Sequence, residues 1–291
     1  MRAIVAAAAL AGLILPACAD AAKAGWAAEL PQDVAASPDT WREVDPERLI
    51  IFNTNKGRIL IEAFPEAAPN HVAHFTAIIR SGDYDGTSFH RVISDFMAQG
   101  GDIFALKGRD SAEPNVKGEF TFRRNVADMP LDATIGPEDT AKHGYYRGVP
   151  IQTQPTFFSE MSVDGLVESH IPHCPGIVST ARTDDPNSAR GQFFLMRGYS
   201  PHLDRLYSSW GRVIDGQDVV MALKVGSPQQ NGSVTNPDIL TSARVAADLP
   251  EAERPRAFVL RTDSDAFRAE LETKGEPNIC ALPAIPAIIL E

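Results

Sequence analysis

Cysteine is scarce. Cys18, Cys174 and Cys280 are the only three in 291 residues, too few and too scattered for a disulfide scaffold or a four-ligand zinc site. Basic charge is also in short supply: 27 Lys and Arg stand against 38 Asp and Glu, a formal charge of −11. No run of Lys and Arg builds the basic face that a phosphate-tracking protein needs, which argues against nucleic acid as a partner. Ala3 to Leu15 is apolar but stops at Pro16, too short to anchor stably across a bilayer. What is present is ordinary for a folded chain, with 44% hydrophobic and 22% charged residues, so disorder along the whole length is excluded. The length suits one large domain with appendages or two small ones.

Arg2 and the amino terminus put positive charge before the 3–15 apolar run, the pattern of a cleaved export signal. Ala17-Cys18-Ala19 offers small residues at both positions a general signal peptidase reads, giving a signal over 1–19 and a mature start at Asp20. Leu15-Pro16-Ala17-Cys18 also has the form of a lipobox, although Pro16 is an unusual occupant, and would make Cys18 a lipid anchor. Both routes lead beyond the cytoplasmic membrane, and a short, Arg-poor signal points to a bacterial periplasm.

Residues 20–48, rich in Ala, Pro and acids and holding Trp26 and Trp41, read as an arm laid over the body, with Trp41 packed. Leu49–Phe52 and Arg58–Phe64 are β-rich runs around the turn residues 53–57, a hairpin. Val72, Phe75, Thr76 and Ile79 recur at helical spacing, and Gly82 can supply a left-handed cap, so a helix is expected over about 67–81. Further strands are expected over 88–93, 176–181, 192–196, 210–214 and 239–246, and a second helix over 217–224. Many short strands with two helices imply an antiparallel barrel or sandwich.

Two segments carry the chemistry. One runs from Gly82 to Asp102 through Phe89-His90-Arg91-Val92-Ile93 and Phe96-Met97-Ala98-Gln99-Gly100-Gly101. The other contains Gly191-Gln192-Phe193-Phe194-Leu195-Met196, His202-Leu203-Asp204 and Trp210-Gly211-Arg212-Val213-Ile214-Asp215-Gly216. At these residues the chain resembles the cyclophilin family of peptidyl-prolyl cis-trans isomerases, over roughly 49–102 and 175–246. The resemblance implies a mainly β fold: a closed eight-stranded antiparallel barrel capped by two helices, with a proline-binding groove on its outer face. Within it Arg91 and Gln99 take the catalytic positions. Phe96, Met97, Phe194 and Leu203 match the proline pocket, and Ala181 the position whose backbone pairs with the residue before the proline. Gln192, Arg182, His202 and Tyr207 complete the substrate contacts. Arg182 stands where many eukaryotic members carry Asn, His202 where Trp is frequent and Tyr207 where His is frequent; the last two changes bear on cyclosporin binding more than on isomerisation.

These residue types suit the reaction independently of the family. Rotation about an X-Pro amide meets a barrier of about 18–20 kcal/mol because the C–N bond is partly double. No bond breaks, so no nucleophile, metal or cofactor is implied. An apolar pocket must grip the proline in both isomers, and a fixed donor must favour the twisted amide; a guanidinium aimed at the prolyl nitrogen stabilises the lone pair that twisting frees. The expected partners are proline-containing polypeptides, exported or outer-membrane proteins in the course of folding. The rival readings are a weakly catalytic or non-catalytic binding module of the same fold, and a structural lipoprotein of the envelope.

Other residues have plainer readings. Phe89 and Phe193 are expected to face the barrel interior, leaving Phe194 to the groove. Tyr84-Asp85-Gly86 is a turn, His71 and His74 are solvated helix residues, His170, His173 and Cys174 are structural, and 229–232 is a polar turn. Residues 103–173 exceed what a minimal cyclophilin needs and form an enlarged insertion beside the groove, in which 118–123 or 149–158 is expected to add a barrel strand. The extension 247–291 carries a short helix, with capping-box spacing from Thr262 to Asp265, Phe267 and Leu271 on one face, and Gly275 as its stop. In an oxidising compartment Cys174 and Cys280 are a candidate disulfide, whose geometry the sequence leaves open.

Overall fold

The computed structural model describes residues 31–137, 139–273, 278–282 and 284–291. The export signal, Cys18, Trp26 and Gly275 lie outside the described residues.

Leu49-Ile50-Ile51-Phe52 has no polar face, so a strand there needs cover on both sides. The hairpin Leu49–Thr54 and Gly57–Ala63 buries Ile50, Phe52, Ile59 and Ile61 in one apolar cluster and Leu49, Ile51 and Leu60 in another. The inner cluster continues through Phe89, Val178, Phe193, Trp210 and Val213, with Phe52 and Phe193 at 5.1 Å between ring centroids. Helix Pro69–Arg80 adds Phe75, Ile78 and Ile79 to it, and helix Gln217–Ala222 adds Val220. Pro69 opens the first helix, where a missing N–H costs nothing, and Gly82, at φ 70°, follows its end.

The main sheet has nine strands among the described residues, all paired antiparallel. Their order is Thr87–Ser88, Ile239–Val245, Leu49–Thr54, Gly57–Ala63, Ser209–Asp215, Ile177–Thr180, Phe193–Met196, Met97–Gly100 and Arg91–Ile93. This corrects the expected closed eight-stranded barrel: the sheet curls into an open half-barrel. Its two edges are consecutive in sequence, joined through Phe89 and His90, and no ladder joins them. The edge groups are taken instead by the 226–238 loop: Val92 N–H donates to Gly232 O (2.8 Å), Gly226 N–H to Val92 O (2.9 Å) and Phe89 N–H to Asp238 O (2.9 Å). A loop that satisfies the edge backbone removes the need for a closing strand.

The outer cluster is covered by the two extensions. The insertion forms its own four-stranded antiparallel sheet, ordered Phe122–Arg124, Val167–His170, Val149–Thr153 and His143–Tyr146. Neither 118–123 nor 149–158 therefore enters the main sheet. The end of the arm pairs with the tail in a third sheet, Trp41–Glu43, Arg256–Leu260 and Ala287–Leu290, and Trp41 packs on the outer cluster. Helix Asp265–Glu272 is capped by Ser264, whose Oγ accepts from Phe267 N–H (3.2 Å). Thr262 is not the cap: it lies two residues before Ser264, and its hydroxyl donates to Asp132 (2.8 Å). Cys174 and Cys280 are bonded, with Cα atoms 5.1 Å apart. Beside them Tyr145 OH donates to Ile279 O (2.8 Å), and the buried Arg212 guanidinium donates to Gly148 O and to Leu282 O.

His71 and His74 are buried rather than solvated. The ring of His71 meets Glu119 of the insertion (2.7 Å), and that of His74 meets the Arg190 carbonyl. The insertion folds back over this helix face, which helical spacing alone could not reveal.

Candidate active site

Register builds the site. Arg91 opposes Gln99, Gln99 opposes Phe194, and Phe194 opposes Ser179, so one row across four strands sets Arg91, Gln99 and Phe194 side by side on the outer face. Met97, two residues before Gln99, shares that face, while Phe193 turns inward as expected. Phe96 precedes the 97–100 strand, and Leu203 comes from the one-turn helix Pro201–Leu203. Together Arg91, Phe96, Met97, Gln99, Ala181, Arg182, Phe194, Leu203 and Tyr207 line a pocket of about 100 Å³.

The structure therefore brings nine of the eleven expected site residues to one pocket. The other two lie at its margins. His202 turns its ring to Phe96, 5.6 Å between centroids. Gln192 lines an adjoining cleft of about 210 Å³ that shares Gln99, Ala181 and Arg182 with the pocket.

Arg91 is held on three sides. Its Nη1 donates to Gln99 Oε1 (3.1 Å), its Nε to Asn231 O (2.9 Å) and its Nη2 to Asn231 Oδ1 (3.1 Å). Gln99 is fixed in turn, its Nε2 donating to Gln192 Oε1 (2.7 Å). None of these partners is a carboxylate, so the charge of Arg91 is not neutralised where it is held. Burial pushes its guanidinium below the usual range, with Tyr207 opposing; arginine stays protonated regardless.

Sequence reasoning missed Asn231, reading 229–232 only as a polar turn. It sits at φ 52°, a left-handed conformation that Asn tolerates, and Gly232 follows at φ 81°. The Asn-Gly pair was the available signal for the turn, though not for its contact with Arg91. Also missed was Asp204, whose Oδ1 accepts from both His173 N–H (2.7 Å) and His173 Nδ1 (2.9 Å). Burial pushes the His173 imidazole down, against the pull of Asp204. This pair lies under Phe194, 6.1 Å from the His173 ring, and braces the segment that carries His202, Leu203 and Tyr207.

An apolar cup with the fixed, unneutralised Arg91 guanidinium at its edge can hold a prolyl ring and present a donor to its amide. No serine, threonine or cysteine among the described residues lines this pocket; Ser209, whose Oγ lies 3.4 Å from His173 Nε2, is buried and outside the lining. Among the described residues no group of three His, Cys, Asp or Glu is placed to hold a metal.

The family model "Cyclophilin type peptidyl-prolyl cis-trans isomerase/CLD" matches residues 49–245. A probable peptidyl-prolyl cis-trans isomerase of Brucella abortus (strain 2308) is 34% identical over 207 residues, covering 70% of this chain and 85% of its own length. Peptidyl-prolyl cis-trans isomerase cyp18 of Streptomyces antibioticus is 34% identical over 206 residues, 67% of this chain and 96% of its own length. The crystal structure of cyclophilin AquaCyp293 from Hirschia baltica superposes with a TM-score of 0.84 at 46% identity. It covers 90% of this chain and 98% of its own, so the likeness reaches beyond 49–245 into the extensions. A family match across the whole main sheet, in a chain whose register assembles the groove, makes this protein a member of the cyclophilin-type peptidyl-prolyl cis-trans isomerases.

Proposed function

We propose that this isomerase acts on exported polypeptides in a bacterial cell envelope, using Arg91 as its electrostatic centre. The observation that carries the catalytic part is the Arg91 guanidinium, fixed by Gln99 and Asn231 at the edge of the apolar pocket with no carboxylate to neutralise it. The prolyl ring enters among Phe96, Met97, Phe194 and Leu203. As the amide twists, the nitrogen lone pair localises and meets a donor already in place, so little reorganisation is needed. Taking an exchange time of about 10–100 s to a turnover near 10³ s⁻¹ requires lowering the barrier by about 5.5–7 kcal/mol. Export is supported by the charged start and apolar run over 2–15 and by the Cys174–Cys280 bond, which suits an oxidising compartment.

NMR exchange on short X-Pro peptides, comparing the mature protein with Arg91→Ala at matched thermal stability, tests the role of Arg91. The variant is expected to lose about 100-fold or more in kcat/KM; a loss under threefold would remove Arg91 from the centre. Fractionation of expressing cells with intact-mass analysis tests the location. A periplasmic species starting at Asp20, or a lipidated Cys18, supports export, and a cytoplasmic full-length chain refutes it.

A further inference from the structure

Arg182 follows the Ile177–Thr180 strand and Ala181, on the wall shared by the proline pocket and the adjoining cleft. Its side chain is locked in place. Nε and Nη2 donate to Leu206 O (3.2 and 3.0 Å), and Nη1 to Thr183 O (2.7 Å) and more weakly to Asp184 O (3.4 Å). The guanidinium carbon lies 4.4 Å from the Tyr207 ring centroid and 5.7 Å from that of Phe120, a residue of the insertion. Two rings and three carbonyls hold the position of this cation while leaving its charge intact.

Acids outnumber bases in this chain, 38 to 27, yet among the described residues no carboxylate pairs with Arg182. Three of those nearby are engaged elsewhere: Asp110 pairs with Arg190 (2.9 Å), Asp102 caps Ala105 N–H (2.9 Å) and Asp185 accepts from Asn187 N–H (2.9 Å); Asp184 offers Arg182 its backbone carbonyl and not its carboxylate. Arg91, which lines the same pocket, likewise has no carboxylate partner among the described residues. The groove thus presents two fixed cations in a protein whose overall charge is negative. A carboxylate arriving with substrate would meet Arg182 without displacing an ion pair and without ordering a loose side chain, the two usual costs of a surface ion pair.

Resting on the isomerase reading of the groove, we propose that Arg182 selects polypeptides with Asp or Glu immediately before the proline. Arg182 acts here through substrate binding, and Phe120 and Tyr207 position it. The insertion then has a share in specificity, because it supplies one of the two rings.

The test compares the peptides Ala-Glu-Pro-Phe, Ala-Gln-Pro-Phe and Ala-Lys-Pro-Phe on the wild type, Arg182→Gln and Arg182→Lys, each of verified fold. Affinity is read by NMR shift titration and turnover by exchange. The wild type is expected to favour Glu over Gln by about three- to fivefold, with Lys weakest, and the preference to fade in 1 M NaCl. Arg182→Gln is expected to abolish the Glu preference and Arg182→Lys to keep part of it. Equal affinity for the Glu and Gln peptides in the wild type, or an unchanged ratio in Arg182→Gln, overturns the proposal, as does equal loss in both variants, which would mark a packing role. Accelerated exchange without acid preference sinks only this proposal. Preferential binding of the Glu peptide without acceleration leaves it standing and sinks the isomerase reading.

Discussion

Among the described residues neither Arg91 nor Arg212 has a carboxylate in ion-pair range, and the two guanidiniums are put to opposite ends. Arg212 is fully buried, donates to the carbonyls of Gly148 and Leu282, and is pushed by burial down to about 10. It is a strut. Arg91 stands at a pocket edge, where the same lack of neutralisation leaves its field available to substrate. Asn231 sets its direction, since two of the three bonds to Arg91 come from that residue. Asn231→Gly keeps the left-handed backbone and the backbone carbonyl but deletes the side-chain acceptor. Kinetics on X-Pro peptides should show kcat/KM lower by about 3–10-fold, with unfolding free energy changed by less than about 1 kcal/mol. Unaltered kinetics would mean that Gln99 and the Asn231 backbone carbonyl suffice to orient Arg91. Asn231 lies 140 positions from Arg91 in the chain, and a single sequence carries no trace of such a pairing. Arg91, Phe96, Gln99 and Phe194 were legible because they fall within two compact motifs.

Elements were legible where their signals are local. The hairpin and both helices of the main domain form within two residues of their expected bounds, because β-rich runs, turn residues, helical spacing and Gly82 act over a few residues. Assignment of strands to sheets was not legible. Residues 149–153 look like any buried strand, and only contacts with 143–146 and 167–170 place them outside the main sheet. The open edge was hidden for the same reason, since nothing in 226–238 marks it as the loop that satisfies Val92. Cys174 and Cys280 close a loop of 106 residues and sit among the other ties on the tail: Tyr145 to Ile279 O, Arg212 to Leu282 O, and Ile285 against Gly148. Reduction, or the Cys174→Ser, Cys280→Ser double variant, is expected to cost about 2–5 kcal/mol and lower Tm by roughly 5–15 °C. Calorimetry with and without reductant reads this directly. A Tm drop under about 2 °C would show that the remaining ties hold the tail unaided.

At the scale of the whole molecule, packing the insertion and the tail against the main sheet draws polar side chains into buried or half-buried surroundings, and the histidines report it. Burial is the leading cause that pushes His74, His90, His143, His170 and His173 below the ordinary imidazole range. Near pH 7.5 these groups are largely neutral in both folded and unfolded chains and contribute little pH dependence. As pH falls through about 6.5, the unfolded chain takes up protons that the folded chain refuses until lower pH, so stability is lost on acidification. Carboxylates act lower: Asp83, held at about 2 by Arg109 and Lys107, loses its contribution only as pH falls below about 4. Asp132, raised by burial, takes its proton earlier in the folded state and offsets part of the loss. The expectation is a Tm that declines from pH 7.5 to 5.5, above the range where Asp83 titrates. The His143→Gln, His170→Gln double variant, altering two imidazoles on one row of the insertion sheet, should flatten that decline without removing it. Thermal melts at half-unit pH steps measure both slopes. A wild-type Tm constant over that interval would mean that water reaches these rings, and that the extensions do not seal the faces they cover.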